Sequence, residues 1–220
     1  MPLVDLRNET AGYAGQTVLD RITLRIERGE RVALVGESGA GKTTLLRLIY
    51  ERCADGAALV PQDLGLVQSL SVYHNVYMGR LHLRSVWRNL RNLAWPGRED
   101  IAEVRQVLAR LRLEDKIFAP VATLSGGQQQ RTAVGRALYH PGDVFIADEP
   151  VSAVDEQQAC EILAAANADK RTVVLAMHDK ALAIRFADRL IGLKGGRIVL
   201  DEASRGMKPE DLDLLYRTAV

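Results

Sequence analysis

The stretch Gly36-Glu37-Ser38-Gly39-Ala40-Gly41-Lys42-Thr43 constrains this chain more than any other. Glycines at this density let successive backbone N–H groups turn inward around an anion. Before the stretch, Arg31 to Val35 is a short apolar run that suits a buried strand. After it, Thr43 to Arg52 has the spacing of a helix. A helix starting there points its positive end at the same anion. Lys42 supplies a mobile charge for β- and γ-phosphates, and the Thr43 hydroxyl can ligate Mg²⁺. Gly36, Glu37, Ser38, Gly39, Ala40, Gly41, Lys42, Thr43 and Thr44 are therefore the expected nucleotide-binding residues. Strand, glycine loop and helix in this order make a P-loop. Kinases, GTPases and motor ATPases share that element, so it does not by itself fix the reaction.

The rest of the chain alternates strands with helices. Val18 to Ile26 alternates apolar and polar residues, as a half-buried strand does. Val144 to Ala147 and Thr172 to Met177 are continuous apolar runs, which suit buried strands. Helices are expected at Ile101 to Leu113, Ser125 to Tyr139 and Ala159 to Ala168. A hairpin is expected around Gly195-Gly196. The predicted class is α/β, with a mainly parallel sheet flanked by helices. At 220 residues the chain is long enough for one such domain with an inserted subdomain. A hydrophobic content of 47% can fill the core without disulfides. Cys53 and Cys160 match no zinc or disulfide spacing and read as reduced thiols. A net charge of +1 argues against a dedicated nucleic-acid binder. No signal peptide opens the chain, and no apolar run approaches the roughly 20 residues that span a bilayer. A soluble chain is expected, held at any membrane by other chains.

A second motif selects the class. Leu124-Ser125-Gly126-Gly127-Gln128, extended by Gln129-Gln130-Arg131, places a serine and two glycines at a helix start. That is a second anion-binding end. It resembles the signature sequence of ABC ATPases. The resemblance implies that this end caps the γ-phosphate held by a partner subunit, so ATP joins two copies of the chain. Val144-Phe145-Ile146-Ala147-Asp148-Glu149 is similar to a Walker B strand. By that resemblance Asp148 holds Mg²⁺ and Glu149 is the general base that polarises the attacking water. Gln62 matches the Q-loop glutamine, which contacts Mg²⁺ or water and links to the membrane partner. Asp155 matches the D-loop and would work across the dimer. His178 matches the switch histidine that contacts the γ-phosphate. Tyr13 stands where the family places an aromatic that stacks on adenine.

The resemblance covers Leu3 to about Tyr216. It implies one ABC ATPase domain over 1–220, with a P-loop core, a reduced antiparallel β subdomain and a helical signature subdomain at about 65–140. The sequence is most similar to phosphonate-import ATPases in three stretches: Asn75 to Leu81 followed by Trp87 to Leu90, Phe186 to Leu193 with Gly196 to Val199, and Leu212 to Tyr216. That likeness implies ATP hydrolysis with Mg²⁺ at the cytoplasmic face of the inner membrane. It also implies permease subunits as partners and, indirectly, a periplasmic or surface solute-binding protein. Phosphonate, phosphite and related phosphorus oxyanions are equally compatible solutes. The alternative is a non-transport ABC ATPase in a soluble, for example phosphonate-degrading, complex. A small-molecule kinase has no use for a second phosphate-capping motif.

Two features depart from the family pattern. The segment between Thr44 and Gln62 is short, with 52–58 expected as a loop, and Pro61 precedes Gln62. The segment from Arg80 to Arg98 holds five arginines and no acid. On a helix, Leu83, Trp87, Leu90 and Ala94 share one face, and Arg84, Arg88 and Arg91 another. It reads as a solvated helix or as a surface toward a membrane subunit or anionic headgroups.

Overall fold

The computed structural model describes residues 2–13, 15–53 and 56–216. The chain forms two compact units. One comprises 1–57, 143–149 and 170–220; the other comprises 58–142 and 150–169.

The first unit is built on a sheet of continuous apolar runs. Strands β1 (Val4–Tyr13) and β2 (Gln16–Ile26) pair antiparallel and bury Leu6, Leu19, Ile22, Leu24 and Ile26. Strand β3 (Arg31–Val35) leads into the glycine loop and helix α1 (Lys42–Arg52). Residues 54 and 55 of the segment expected as a loop lie outside the described residues, and β4 (Ala57–Val60) follows at the boundary between the units. Further along the chain come β5 (Val144–Asp148), β6 (Thr172–Ala176), helix α7 (Lys180–Phe186), β7 (Arg189–Lys194) and β8 (Arg197–Ala203). Within this unit the strand order is β5-β6-β3-β7-β8. The pairs β5–β6, β6–β3 and β3–β7 are parallel, and β7–β8 is antiparallel. Every residue of β5 and β6 is buried, as expected for parallel strands covered on both faces. A 3₁₀ segment, Pro209–Tyr216, closes the described chain and buries Leu212 and Leu215.

The second unit is mainly helical. It holds α2 (Val72–Tyr77), α3 (Val86–Ala94), α4 (Arg98–Arg110), α5 (Gly126–Tyr139) and α6 (Glu156–Asp169). Tyr73, Val76, Val104, Leu108, Ala133 and Val134 are fully buried in it. The region 80–98 differs from the continuous helix expected. Met78–Leu83 is a 3₁₀ turn, Arg84 is extended, and α3 starts afresh at Val86 with Ser85 as its N-cap. Nor is the arginine face solvated throughout: Arg88 turns onto the buried carboxylate of Asp100. Strand β1 and helices α2 and α7 were not legible in the sequence. β1 has buried apolar residues only at its start, and the two helices are too short for a helical period to show.

Candidate active site

The site lies at the carboxyl ends of β3, β6 and β5, where open α/β sheets characteristically bind ligands. Register explains why. Leu34 pairs with Ala176, and Asp148 pairs with Ala176, so the three strands end level. The backbone N–H of Met177 donates to Leu34 O, and that of Glu149 donates to Ala176 O, both at 3.0 Å. Whatever follows each strand is thus delivered to one place. After β3 comes Gly36, after β5 Glu149, and after β6 His178.

The glycine loop takes a shape that only glycine tolerates. Gly36 has φ 148°, and a Cβ there would stand 2.3 Å from Leu193 O. Gly41 caps α1 at φ 103°. Lys42 is 6% exposed and reaches back, its Nζ donating to Gly36 O at 2.8 Å and Glu37 O at 2.9 Å. Burial lowers its pKa, opposed by the nearby charges of Glu149 and Asp148. The loop therefore holds a desolvated cation beside a helix N-terminus, which suits a polyphosphate.

Thr43 Oγ1 donates to Asp148 Oδ2 at 2.6 Å. The Asp148 carboxyl is pushed above its ordinary range, first by burial, against the Thr43 hydrogen bond that lowers it. A hydroxyl and a carboxylate side by side are hard oxygen donors. They suit a divalent cation that takes its remaining oxygens from phosphate and water. Among the described residues no group of three or more His, Cys, Asp or Glu could form an all-protein metal cage.

Glu149 stands just beyond Asp148 with φ 53°, a left-handed conformation unusual for a non-glycine residue. The Nε2–H of His178 donates to Glu149 Oε1 at 2.6 Å. Lys42, Thr43, Asp148, Glu149 and His178 are thus brought together in the first unit. Tyr13 belongs to the same unit. It is half exposed, with the Arg47 guanidinium 5.9 Å from its ring centre. It lines a groove of about 300 Å³ with Gly12, Thr44, Arg47 and Leu48.

The remaining expected residues are in the second unit. Gln62 is exposed in the turn after β4. That turn is held by Arg136 of α5, whose guanidinium donates to Leu64 O at 2.7 Å and Gly65 O at 2.6 Å. Ser125 caps α5 in a reciprocal box with Gln128: Ser125 N donates to Gln128 Oε1 at 3.0 Å, and Gln128 N donates to Ser125 Oγ at 3.4 Å. Leu124 is buried beneath this start. Gly126 and Gly127 lie against Ala153, and a Cβ on Gly127 would come 2.7 Å from Ala153 O. Asp155 accepts from Gln158 N at 2.9 Å at the start of α6.

Three contributors were not singled out as site residues. Tyr216 Oη accepts from Gly36 N at 3.2 Å, tying the 3₁₀ segment to the glycine loop. Gln130 joins α5 to the segment before Asp155, donating to Ser152 Oγ and accepting from Ala153 N. Arg136 anchors the turn after Gln62. Gln130 stands in the extension of the signature-like motif and Tyr216 at the end of a family-like stretch, but neither local pattern tells which distant segment the side chain meets.

The chain matches the family model described as ABC transporter over residues 19–152. It is 38% identical to a phosphonates import ATP-binding protein of Pseudomonas syringae pv. syringae, covering 92% of this chain and 86% of the relative. It is 36% identical to a protein of the same name from Thiobacillus denitrificans, over 99% of this chain and 93% of the relative. Against another of that name from Anaeromyxobacter dehalogenans it is also 36% identical, but spans only 48% of that protein's length. Among solved structures it is similar to a dimeric bacterial ABC transporter cassette, with TM-score 0.78 and 28% identity over 92% of this chain and 99% of the other. A dimeric ATP-binding cassette in a post-hydrolysis state, bound to ADP and Pi, gives TM-score 0.77 and 27% identity, with the same coverage.

Proposed function

Because this chain belongs to the ABC transporter family of ATP-binding proteins, we propose that it is the ATP-hydrolysing subunit of an importer for phosphonates or a related phosphorus oxyanion. The observation that carries the reading is the meeting of Thr43, Asp148, Glu149 and His178 beside the Lys42 loop. That meeting supports reading Glu149 as a general base, Thr43 and Asp148 as an oxygen pair for a cation, and the Lys42 loop as a phosphate cradle.

The chemistry follows from these residues. The triphosphate lies against the amides of Gly36 to Thr44, and the adenine takes the Tyr13–Arg47 groove. Lys42 exchanges its two carbonyl partners for phosphate oxygens. Thr43 and Asp148 would hold Mg²⁺ and Gln62 would contact the ion or its water; the ion would supply charge neutralisation to the phosphates. Glu149 accepts the proton of the attacking water. His178 fixes the Glu149 carboxylate and faces the γ-phosphate. Leu124, Ser125, Gly126, Gly127 and Gln128 of a second copy close over that phosphate, with Asp155 working across the same interface. Closure drives the permease subunits, and hydrolysis releases them. Among the described residues no helix is long and apolar enough to cross a membrane. The chain would act as a peripheral subunit at the cytoplasmic face of the inner membrane, supplied indirectly by a solute-binding protein. The names of its relatives favour import over a soluble degradative complex.

Glu149→Gln tests the central assignment. ATP binding should persist while hydrolysis falls by about 10²–10⁴-fold, the worth of a positioned base. The variant should also accumulate as an ATP-bound dimer on size-exclusion chromatography. Wild-type turnover in Glu149→Gln would remove Glu149 from the role of base.

A further inference from the structure

Helix α3 is turned inside out. Trp87 is 83% exposed, Val86 70%, Leu90 56% and Leu93 53%, while Asn92 on the opposite side is 3% exposed. Just past the helix, Trp95 is 77% exposed. An amphipathic helix on a globular unit ordinarily does the reverse.

Hydrogen bonds pin this orientation. Tyr73 Oη donates to Asn92 Oδ1 at 2.7 Å, and Asn92 Nδ2 donates to Asp100 Oδ2 at 2.9 Å. Arg88 Nη2 donates to Asp100 Oδ1 at 3.0 Å, and Asn89 Nδ2 donates to Leu81 O at 3.1 Å. Rotating α3 to hide its apolar face would break these bonds and strip partners from Asp100, which is 2% exposed. An unpartnered buried charge is strongly destabilising. The apolar face is therefore fixed outward and is left uncovered by the described residues.

Charge identifies the cover. Residues 78–98 contain five arginines and no acid. Arg80, Arg84 and Arg88 pair with Glu103 and Asp100. Arg91, next to Trp87 around the helix, and Arg98, beyond Trp95, remain exposed at the rim. An exposed apolar strip with two tryptophans and a basic border fits the headgroup layer of a bilayer, where indoles concentrate and arginine meets phosphate. We propose that the outer face of α3 docks onto an anionic membrane surface, with Trp87, Leu90, Leu93 and Trp95 in the interfacial layer. Arg91 and Arg98 lie against lipid phosphates. The contact stands on α3 with Trp95 and Arg98 just past it, and does not depend on the chemistry at Glu149.

Trp87 and Trp95 are the two tryptophans of the chain, so intrinsic indole emission reports on this face. The full chain is titrated with vesicles of phosphatidylglycerol and phosphatidylcholine in equal parts, and with phosphatidylcholine alone. Emission and flotation are followed together. The expected result is a blue shift and co-flotation with the anionic vesicles that weaken as salt is raised. Arg91→Glu/Arg98→Glu should partition at least about tenfold more weakly. Leu90→Ser/Leu93→Ser should lose about tenfold or more. Both double variants change exposed side chains, and ATP binding and thermal melting serve as the check that they remain folded. Absence of a blue shift on anionic vesicles, or flotation that neither variant weakens, overturns the proposal. So does a blue shift without lipid that grows with protein concentration, since a second copy would then be the cover. A blue shift that needs a co-expressed permease rather than vesicles overturns it as well.

Discussion

Asp148 carries an electrostatic cost in the folded chain. It is 5% exposed, and burial is the main reason its carboxyl is pushed above the ordinary 3.8. The folded chain thus holds this proton more tightly than the unfolded chain. Ionised Asp148 therefore lowers stability above its folded pKa, and this cost fades as pH falls and is gone below about 3.8. Asp148→Asn should raise the melting temperature of the nucleotide-free protein at neutral pH, with the gain disappearing in acid. The same variant should weaken cation-dependent nucleotide binding. Thermal melts across pH check the first, and a melt that is unchanged at neutral pH would count against it. Glu149 carries a related cost. Its left-handed backbone costs about 1–3 kcal/mol for a non-glycine residue. The surrounding structure holds it there through the Ala176 carbonyl and His178.

Among the elements, α5 does more than present the end proposed to cap a phosphate. Its first turn packs Gly127 against Ala153, its middle carries Gln130 onto Ser152, and its last turns use Arg136 to hold the turn after Gln62. One helix thus fixes the positions of three segments assigned to the nucleotide cycle. Gly127→Ala tests this tie. The added methyl would stand 2.7 Å from Ala153 O, and relieving such a clash by backbone movement costs about 1–3 kcal/mol. A lower melting temperature and weaker ATP-dependent dimerisation are expected by calorimetry and light scattering. Full retention of both would show that the close approach is dispensable. Helix α3 teaches a different lesson about elements. Its helical wheel separates an apolar face from an arginine and asparagine face. Which of them points inward depends on Asp100 and Tyr73, to which the wheel is blind.

At the scale of the whole molecule, the cradle belongs to one unit and the capping glycines to the other. The proposed sandwich then makes each site from two copies. Lys42→Ala spoils the cradle, and Ser125→Glu sets a carboxylate where the partner's phosphate should rest. Each variant alone should be inactive. Mixed together they form some heterodimers with one intact cradle facing one intact cap, so part of the ATPase activity should return. A mixture no more active than its parents would argue against a shared site.

The glycine loop between strand and helix, the parallel α/β class and the serine-capped start of α5 were legible in the sequence, because each depends on residues that are neighbours along the chain. Backbone amides turn at adjacent glycines, apolar runs make buried strands, and a helix cap closes within one turn. The tertiary structure decided which distant residues meet. The level ends of β3, β6 and β5 bring Thr43, Asp148, Glu149 and His178 together, and strand register has no signature in any one strand. It also placed Tyr216 on Gly36 and turned the apolar face of α3 outward. Both outcomes depend on partners distant in sequence or on the opposing surface, which local periodicity does not encode.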